Sequence, residues 1–150
     1  MKKENSGFSL VELIIVIAIM SVLIGLLAPQ YLKYVVKARK SSDVKTIDEI
    51  SSAALVMSED DSVYGDLTQG DYIITFTDGR YSGMTGPGQS AVDALKSGIE
   101  SIVGNLSQIS LKNQTWGTLQ LHMTVGEDGA MTTSCTNTGI DSYTEYISGQ

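Results

Sequence analysis

Gly7-Phe8-Ser9-Leu10-Val11-Glu12-Leu13-Ile14-Ile15-Val16-Ile17-Ala18-Ile19-Met20-Ser21-Val22-Leu23-Ile24-Gly25-Leu26-Leu27-Ala28-Pro29 decides the reading of this chain. Leu13 to Ala28 carries no charge, and only Ser21 and Gly25 interrupt its apolar side chains. Phe8 to Ala28 covers about 31 Å as a helix at 1.5 Å per residue, enough to cross a bilayer core. A run that is apolar all round is buried in lipid or among other helices. The basic start, Met1-Lys2-Lys3, suits a secretory signal peptide, but the exit Leu26-Leu27-Ala28-Pro29 does not. It puts a bulky residue where cleavage wants a small one, with Pro following. An uncleaved membrane anchor is the plain alternative.

Glu12 argues against a plain anchor. A carboxylate inside an apolar helix costs about 2.5–3.5 kcal/mol on insertion scales, so it calls for a purpose and a partner. A cut between Gly7 and Phe8 would supply one. The new α-amino group, with an ordinary pKa of about 8, is largely protonated near neutral pH. In a stack of helices the amine of one copy can meet Glu12 of the next, which gives charge neutralisation and axial register together.

Gly7-Phe8-Ser9-Leu10-Val11-Glu12 followed by Leu13-Ile14-Ile15-Val16-Ile17-Ala18-Ile19 closely resembles the prepilin signal of type IV pilins and pseudopilins. Ala28-Pro29-Gln30-Tyr31 resembles the end of that segment in many type IV pilins. The resemblance covers roughly residues 1–58 and rests on a specific motif. It implies roles by position. Gly7 would precede the bond cut by a membrane-embedded prepilin peptidase, and Phe8 would become the N-methylated first residue. Glu12 would serve subunit assembly. Gly25 and Pro29 would let the helix loosen between them inside a filament. Pro29 also has a local reason: it lacks a backbone donor and crowds the preceding turn, while Gly25 is a poor helix former. Ser21 and Gly25, four apart, would let helices approach closely.

Beyond Tyr31 the pattern turns amphipathic. Val44, Ile47, Ile50 and Ala54 recur at three- and four-residue spacing, so this half is expected to lie on a sheet. The acidic Glu59-Asp60-Asp61 and Gly65 predict an end near Ser58, which makes the helix about 76 Å long from Phe8. The chain therefore divides into a leader (1–7), an apolar helix for membrane or filament core (8–30), an amphipathic helix (31–58) and a small α+β head (59–150).

In the head, Tyr72, Ile74 and Phe76 alternate on a strand that meets the hairpin signal Asp78-Gly79. Leu119, Leu121, Met123 and Val125 alternate with Thr118, Gln120, His122 and Thr124. Gly126-Glu127-Asp128-Gly129 turns the chain into a returning strand over 130–136. Ser90 to Gly104 reads as a helix opened by the capping box Ser90-Ala91-Val92-Asp93, with Val92, Leu95, Ile99, Ile102, Val103 and Leu106 as its stripe. Tyr81 to Gln89 reads as the most flexible loop. Asn137 to Gln150 is a polar tail, either a surface loop or a docked end. So small a head has limited core of its own and is expected to rely on the amphipathic half of the helix. The fold expected is the type IV pilin fold, with a long N-terminal helix on a small antiparallel sheet.

Charge and composition narrow the function. The 150 residues hold 17 acids against 10 bases, which argues against a nucleic-acid binder. Five of the bases (Lys33, Lys37, Arg39, Lys40, Lys45) lie just past the apolar run, where bases face lipid head groups or neighbouring chains. One His and one Cys leave little for a metal site or a triad, and no cofactor or metal is expected. Gly86-Pro87-Gly88-Gln89-Ser90-Ala91 formally fits G-x-G-x-x-A, but a long loop precedes it and no βαβ unit is in view. Glu59, Asp60, Asp61 and Asp66 do not have EF-hand spacing. His122 sits alone on a polar strand face, Trp116 reads as core or sheet edge, and Cys135 as a small buried residue.

With only Cys135, the two-cysteine loop that closes the C-terminus of many type IV pilins cannot form; in this the chain resembles cysteine-poor clostridial pilins. Asn113-Gln114-Thr115-Trp116-Gly117 keeps only the Trp-Gly of the Pro-Trp-Gly segment of secretion pseudopilins. The resemblance thus implies a pilus subunit that is not an enzyme. It would be held in the cytoplasmic membrane with its leader inside and then polymerised outside for adhesion, motility or DNA uptake. Its partners would be other pilin subunits, a prepilin peptidase, an assembly ATPase and a membrane platform protein, with no small-molecule substrate. A pseudopilin of a secretion or competence machine, and a membrane-anchored enzyme or binding protein, are the alternatives.

Overall fold

The computed structural model describes residues 9–149. A first helix, α1, spans Leu10–Ser58 and ends where the sequence pattern places its end. The chain divides into two compact units, Met1–Ala38 and Arg39–Gln150. The first is helical from Leu10 onward. Its apolar side chains are largely exposed: Leu10, Ile17, Leu23 and Leu27 are all more than half exposed.

The second unit is built on four antiparallel strands, β1 (Gly70–Thr77), β2 (Arg80–Thr85), β3 (Thr118–Val125) and β4 (Met131–Asn137), in the order β2-β1-β3-β4. Alternation puts Tyr72, Ile74 and Phe76 on the same face as Leu119, Leu121, Met123 and Val125, and all seven are buried. Onto this face α1 lays Ile47, Ile50, Ala53 and Ala54, the spacing of one helix face. Each fully buried Ile or Leu here contributes about 1.5–3 kcal/mol. The head's core is thus partly α1, as its size requires.

Asp78 and Gly79 both have positive φ, 50° and 77°, the signature of the two-residue turn whose twist matches its strands. That turn makes Tyr81 to Thr85 a strand, β2, where the sequence reads as a flexible loop. Composition misleads here because Gly83 and the turn residues dilute the strand pattern, while the twisted hairpin pairs the segment with β1. The register slips between Thr75 and Phe76, a bulge at Ser82.

A third helix, α3 (Gln89–Val103), follows a short second one, α2 (Asp61–Tyr64). The capping box is not used. The N-cap is Gly88, which has no side chain, and Ser90 lies inside the first turn; the Gln89 amide instead donates to Asp93 at 2.9 Å. The stripe holds for Val92, Leu95 and Ile99, joined by Ala91, but Ile102 is 51% exposed. Gly104, with φ 85°, ends the helix, so Leu106 is buried from a 3-10 turn (Leu106–Gln108) rather than from α3. At Gly98 a Cβ would stand 2.8 Å from the Met57 sulfur, so the bare glycine lets α3 close on α1.

The C-terminal tail is a docked end. A fourth helix, α4 (Tyr143–Ser148), is N-capped by the Ser142 hydroxyl, which accepts from Glu145 N–H at 3.2 Å. Tyr143 is buried edge-on against Trp116, with ring centroids 5.0 Å apart. Trp116 is core. Cys135 is only half-buried, within the edge strand β4.

Candidate functional site

The segment that bears the sequence motif is the N-terminal part of α1. Gly7 and Phe8 lie outside the described residues. Glu12 is in the first turn of the helix, where a carboxylate suits the positive end of the helix dipole. Its Oε2 accepts the backbone N–H of Ser9 at 2.9 Å, so within one chain it acts as a helix-start acceptor and stays exposed. Among the described residues it is the sole charge before Lys33, on a surface made mostly of large apolar side chains. Of the described helices, α1 alone is long and apolar enough to cross a membrane.

Gly25 and Pro29 both lie within the helix. They are the two ends of one missing bond: the N–H that would donate to the Gly25 carbonyl belongs to position 29, and Pro has none. A Cβ on Gly25 would meet nothing within 4 Å, so no packing inside the chain asks for glycine there. Ser21, one turn earlier, turns its hydroxyl onto the Ile17 carbonyl at 2.7 Å, which leaves a small, self-satisfied step beside Gly25.

The head also holds a polar lock that hydrophobic periodicity does not show. Asp43 is 2% exposed on the buried face of α1. Its two oxygens accept backbone N–H groups of Lys112 (2.8 Å) and Asn113 (2.6 Å), and these hold the loop that carries Trp116. The signal was available: Asp43 lies four residues before Ile47, on the apolar stripe. One turn earlier, Lys40 pairs with Asp141 at 2.7 Å and lies over the Tyr146 ring. Thr115 also donates to Asp141 (2.6 Å), and these two bonds, Lys40 first, hold the Asp141 carboxyl below its ordinary range. Asn137 completes the fastening, donating to the carbonyls of Asp141 and Trp116 and accepting from Tyr143 N–H.

The other residues singled out by sequence take structural places. Gly86 is required by packing, since a Cβ there would lie 2.7 Å from both Tyr72 and Val92; the sheet beside it is antiparallel throughout. His122 Nε2 pairs with the Thr136 hydroxyl across β3 and β4 at 3.0 Å. Burial, with Asp48 nearby, pushes the Cys135 thiol up to about 12, which makes it a poor nucleophile.

Residues 2–28 match the family model of the prokaryotic N-terminal methylation motif. A fimbrial protein of Pseudomonas aeruginosa is 30% identical over 111 residues, 72% of this chain and 72% of its own length. A second fimbrial protein of the same organism is 29% identical over the same share. No solved structure matches the chain.

Proposed function

We propose a sequence of events for a chain that belongs to the type IV pilin family and is a structural subunit of a pilus. Prepilin peptidase cuts between Gly7 and Phe8, and Phe8 is N-methylated. Before assembly the subunit stays in the cytoplasmic membrane through residues 8–30, with its basic leader inside. An assembly ATPase, acting through a membrane platform protein, then moves it into an extracellular filament. The chemistry belongs to those partners; this chain's contribution is burial and charge neutralisation.

The observation that carries this reading is the exposed apolar length of α1 from Leu10 to Leu27, with one carboxylate at its start. A side-chain surface of that kind is stable only in lipid or among copies of itself, and Glu12 needs a cation in either setting. The amine of Phe8 from a neighbouring copy supplies it. Adhesion, motility and DNA uptake are the tasks such a filament serves.

The test is mass spectrometry of material sheared from cells. A peptide starting at methylated Phe8, abundant in fibres, is the expected result. Glu12→Ala should leave the processed subunit in the membrane and abolish fibres. Unprocessed Met1 on sheared fibres, or normal fibres from Glu12→Ala, would refute the scheme.

A further inference from the structure

The apolar length of α1 is bounded by charge at both ends. Glu12 stands at one end and Lys33 at the other, with no charge between them. At about 1.5 Å per residue they are about 32 Å apart along the helix, close to the thickness of a bilayer's hydrocarbon core, about 30 Å. When Glu12 lies at the inner boundary of that core, Lys33 reaches the outer one. Tyr31 and Tyr34 flank it, 67% and 70% exposed. A tyrosine at this depth keeps its ring among acyl chains and its hydroxyl among head groups. Lys37 follows one turn on and is exposed. At 3.6 residues per turn, Lys33, Tyr34 and Lys37 fall within about 100° of one helix face. Two ammonium groups and a phenol hydroxyl, all able to donate hydrogen bonds, therefore stand together at head-group level.

Charge selects what meets them. The leader's Lys2 and Lys3 bias that end towards the inside. On the other flank Lys33, Lys37, Arg39 and Lys40 all precede the first acid, Asp43. With the leader inside, these four bases are carried outward against the same bias, so they call for anions on the outer side. Lys40 is taken by Asp141 at 2.7 Å. Lys33 and Lys37 belong to the first unit, Met1–Ala38, whose one described acid is Glu12, at the far end of the apolar length. The phosphodiester of an anionic lipid supplies negative charge at the depth where the two lysines stand. A zwitterionic lipid brings its own cation and gains less.

We propose that Lys33, Tyr34 and Lys37 form a head-group site for an anionic phospholipid of the phosphatidylglycerol type, in the outer leaflet of the cytoplasmic membrane. This rests on the reading of the chain as a pilus subunit held in that membrane, leader inside, before assembly. Lys33 and Lys37 neutralise the phosphate, and the Tyr34 hydroxyl donates to it. The lipid holds the helix at one depth, with Glu12 at the opposite boundary, until the subunit is withdrawn.

The test uses the full chain reconstituted in phosphatidylcholine bilayers with a trace of spin-labelled lipid. Labelled phosphatidylglycerol should be enriched at the protein by about threefold or more over labelled phosphatidylcholine. Lys33→Gln combined with Lys37→Gln should abolish the preference, and Tyr34→Phe should lower it part of the way. Lys96→Gln, which removes a base of the head, should leave it unchanged. No preference in the wild type, or one that survives the double variant, would overturn the site. Displacement of the labelled lipid by inorganic phosphate at constant ionic strength would overturn it too, by making the ligand a free anion. No preference together with fibres lost from the double variant would give the two bases to a neighbouring chain instead. Protease added to intact spheroplasts should digest the head and spare the leader. A leader cut from outside would overturn the leader-inside orientation, and the outer-leaflet site with it, whatever the lipid ratio.

Discussion

Replacing Asp43 by Ala should cost the head about 3 kcal/mol. Its carboxylate accepts two backbone N–H groups, from Lys112 at 2.8 Å and Asn113 at 2.6 Å, in a site that is 2% exposed. Removing the acceptor leaves both donors without a protein partner, at about 1–3 kcal/mol each where water does not reach. Lys112 is more exposed than Asn113 and its N–H is more readily rehydrated, which places the sum at about 3 kcal/mol, in the lower half of the combined range of about 2–6 kcal/mol. For a domain of about 100 residues, 3 kcal/mol lowers Tm by roughly 12–20 °C. Asp43→Asn keeps one acceptor oxygen and should cost about half as much. The assay is thermal unfolding of the full chain in detergent, read by Trp116, the only tryptophan. Trp116 sits in the loop that Asp43 holds, so its emission should also shift to the red in Asp43→Ala below the transition. A loss under 1 kcal/mol in Asp43→Ala, or an Asn variant as damaged as the Ala one, would refute the reasoning, because the cost would not follow the number of acceptors.

The Cys135 thiol, raised to about 12, should alkylate at pH 8 roughly a thousand times more slowly in the folded head than in urea, in proportion to its thiolate fraction; iodoacetamide labelling followed by mass measurement checks this. Asp141 is held below its ordinary range, so its bonds stabilise the head above about pH 4, and that contribution is lost as pH falls through the folded value. The carboxylate is partly exposed, so the gain is a fraction of a kcal/mol after screening, and Lys40→Met should flatten this part of the pH–Tm curve. Gly25→Ala, with nothing within 4 Å of the added methyl, should leave the head's melting unchanged and stabilise α1 by up to about 1 kcal/mol. If the helix must loosen between Gly25 and Pro29, the same variant should yield less sheared filament, and unchanged yield would remove that role. Gly86→Ala, by contrast, pushes a methyl into Tyr72 and Val92 and should cost about 1–3 kcal/mol by denaturant titration.

Much of the head was legible because strand alternation is a local signal. Tyr72, Ile74 and Phe76, then Leu119 to Val125, declare an inner face by period alone, and Asp78-Gly79 declares its turn by backbone preference. The failures share a cause. Tyr81 to Thr85 has a weak pattern, and its strand state comes from pairing with β1. Ser90 is a good cap by type, yet Gly88 begins the helix because the chain arrives there from β2 already extended. Ile102 keeps the spacing of a core residue, but α3 turns it out beside Val56.

By itself the sequence determined the long first helix. The apolar run, its single carboxylate and the place where the helix ends depend on composition and spacing along one continuous helix, where neighbours in space are neighbours in sequence. It also determined that a head with one cysteine needs a fastening other than a disulfide. What that fastening is, only the tertiary structure decided. Asp43 meets residues 112 and 113, Lys40 meets Asp141, and Gly139 meets Trp116 across separations that no local period encodes. A buried carboxylate reads in sequence as an exposed one until the backbone donors that neutralise it are brought in from the far side of the fold.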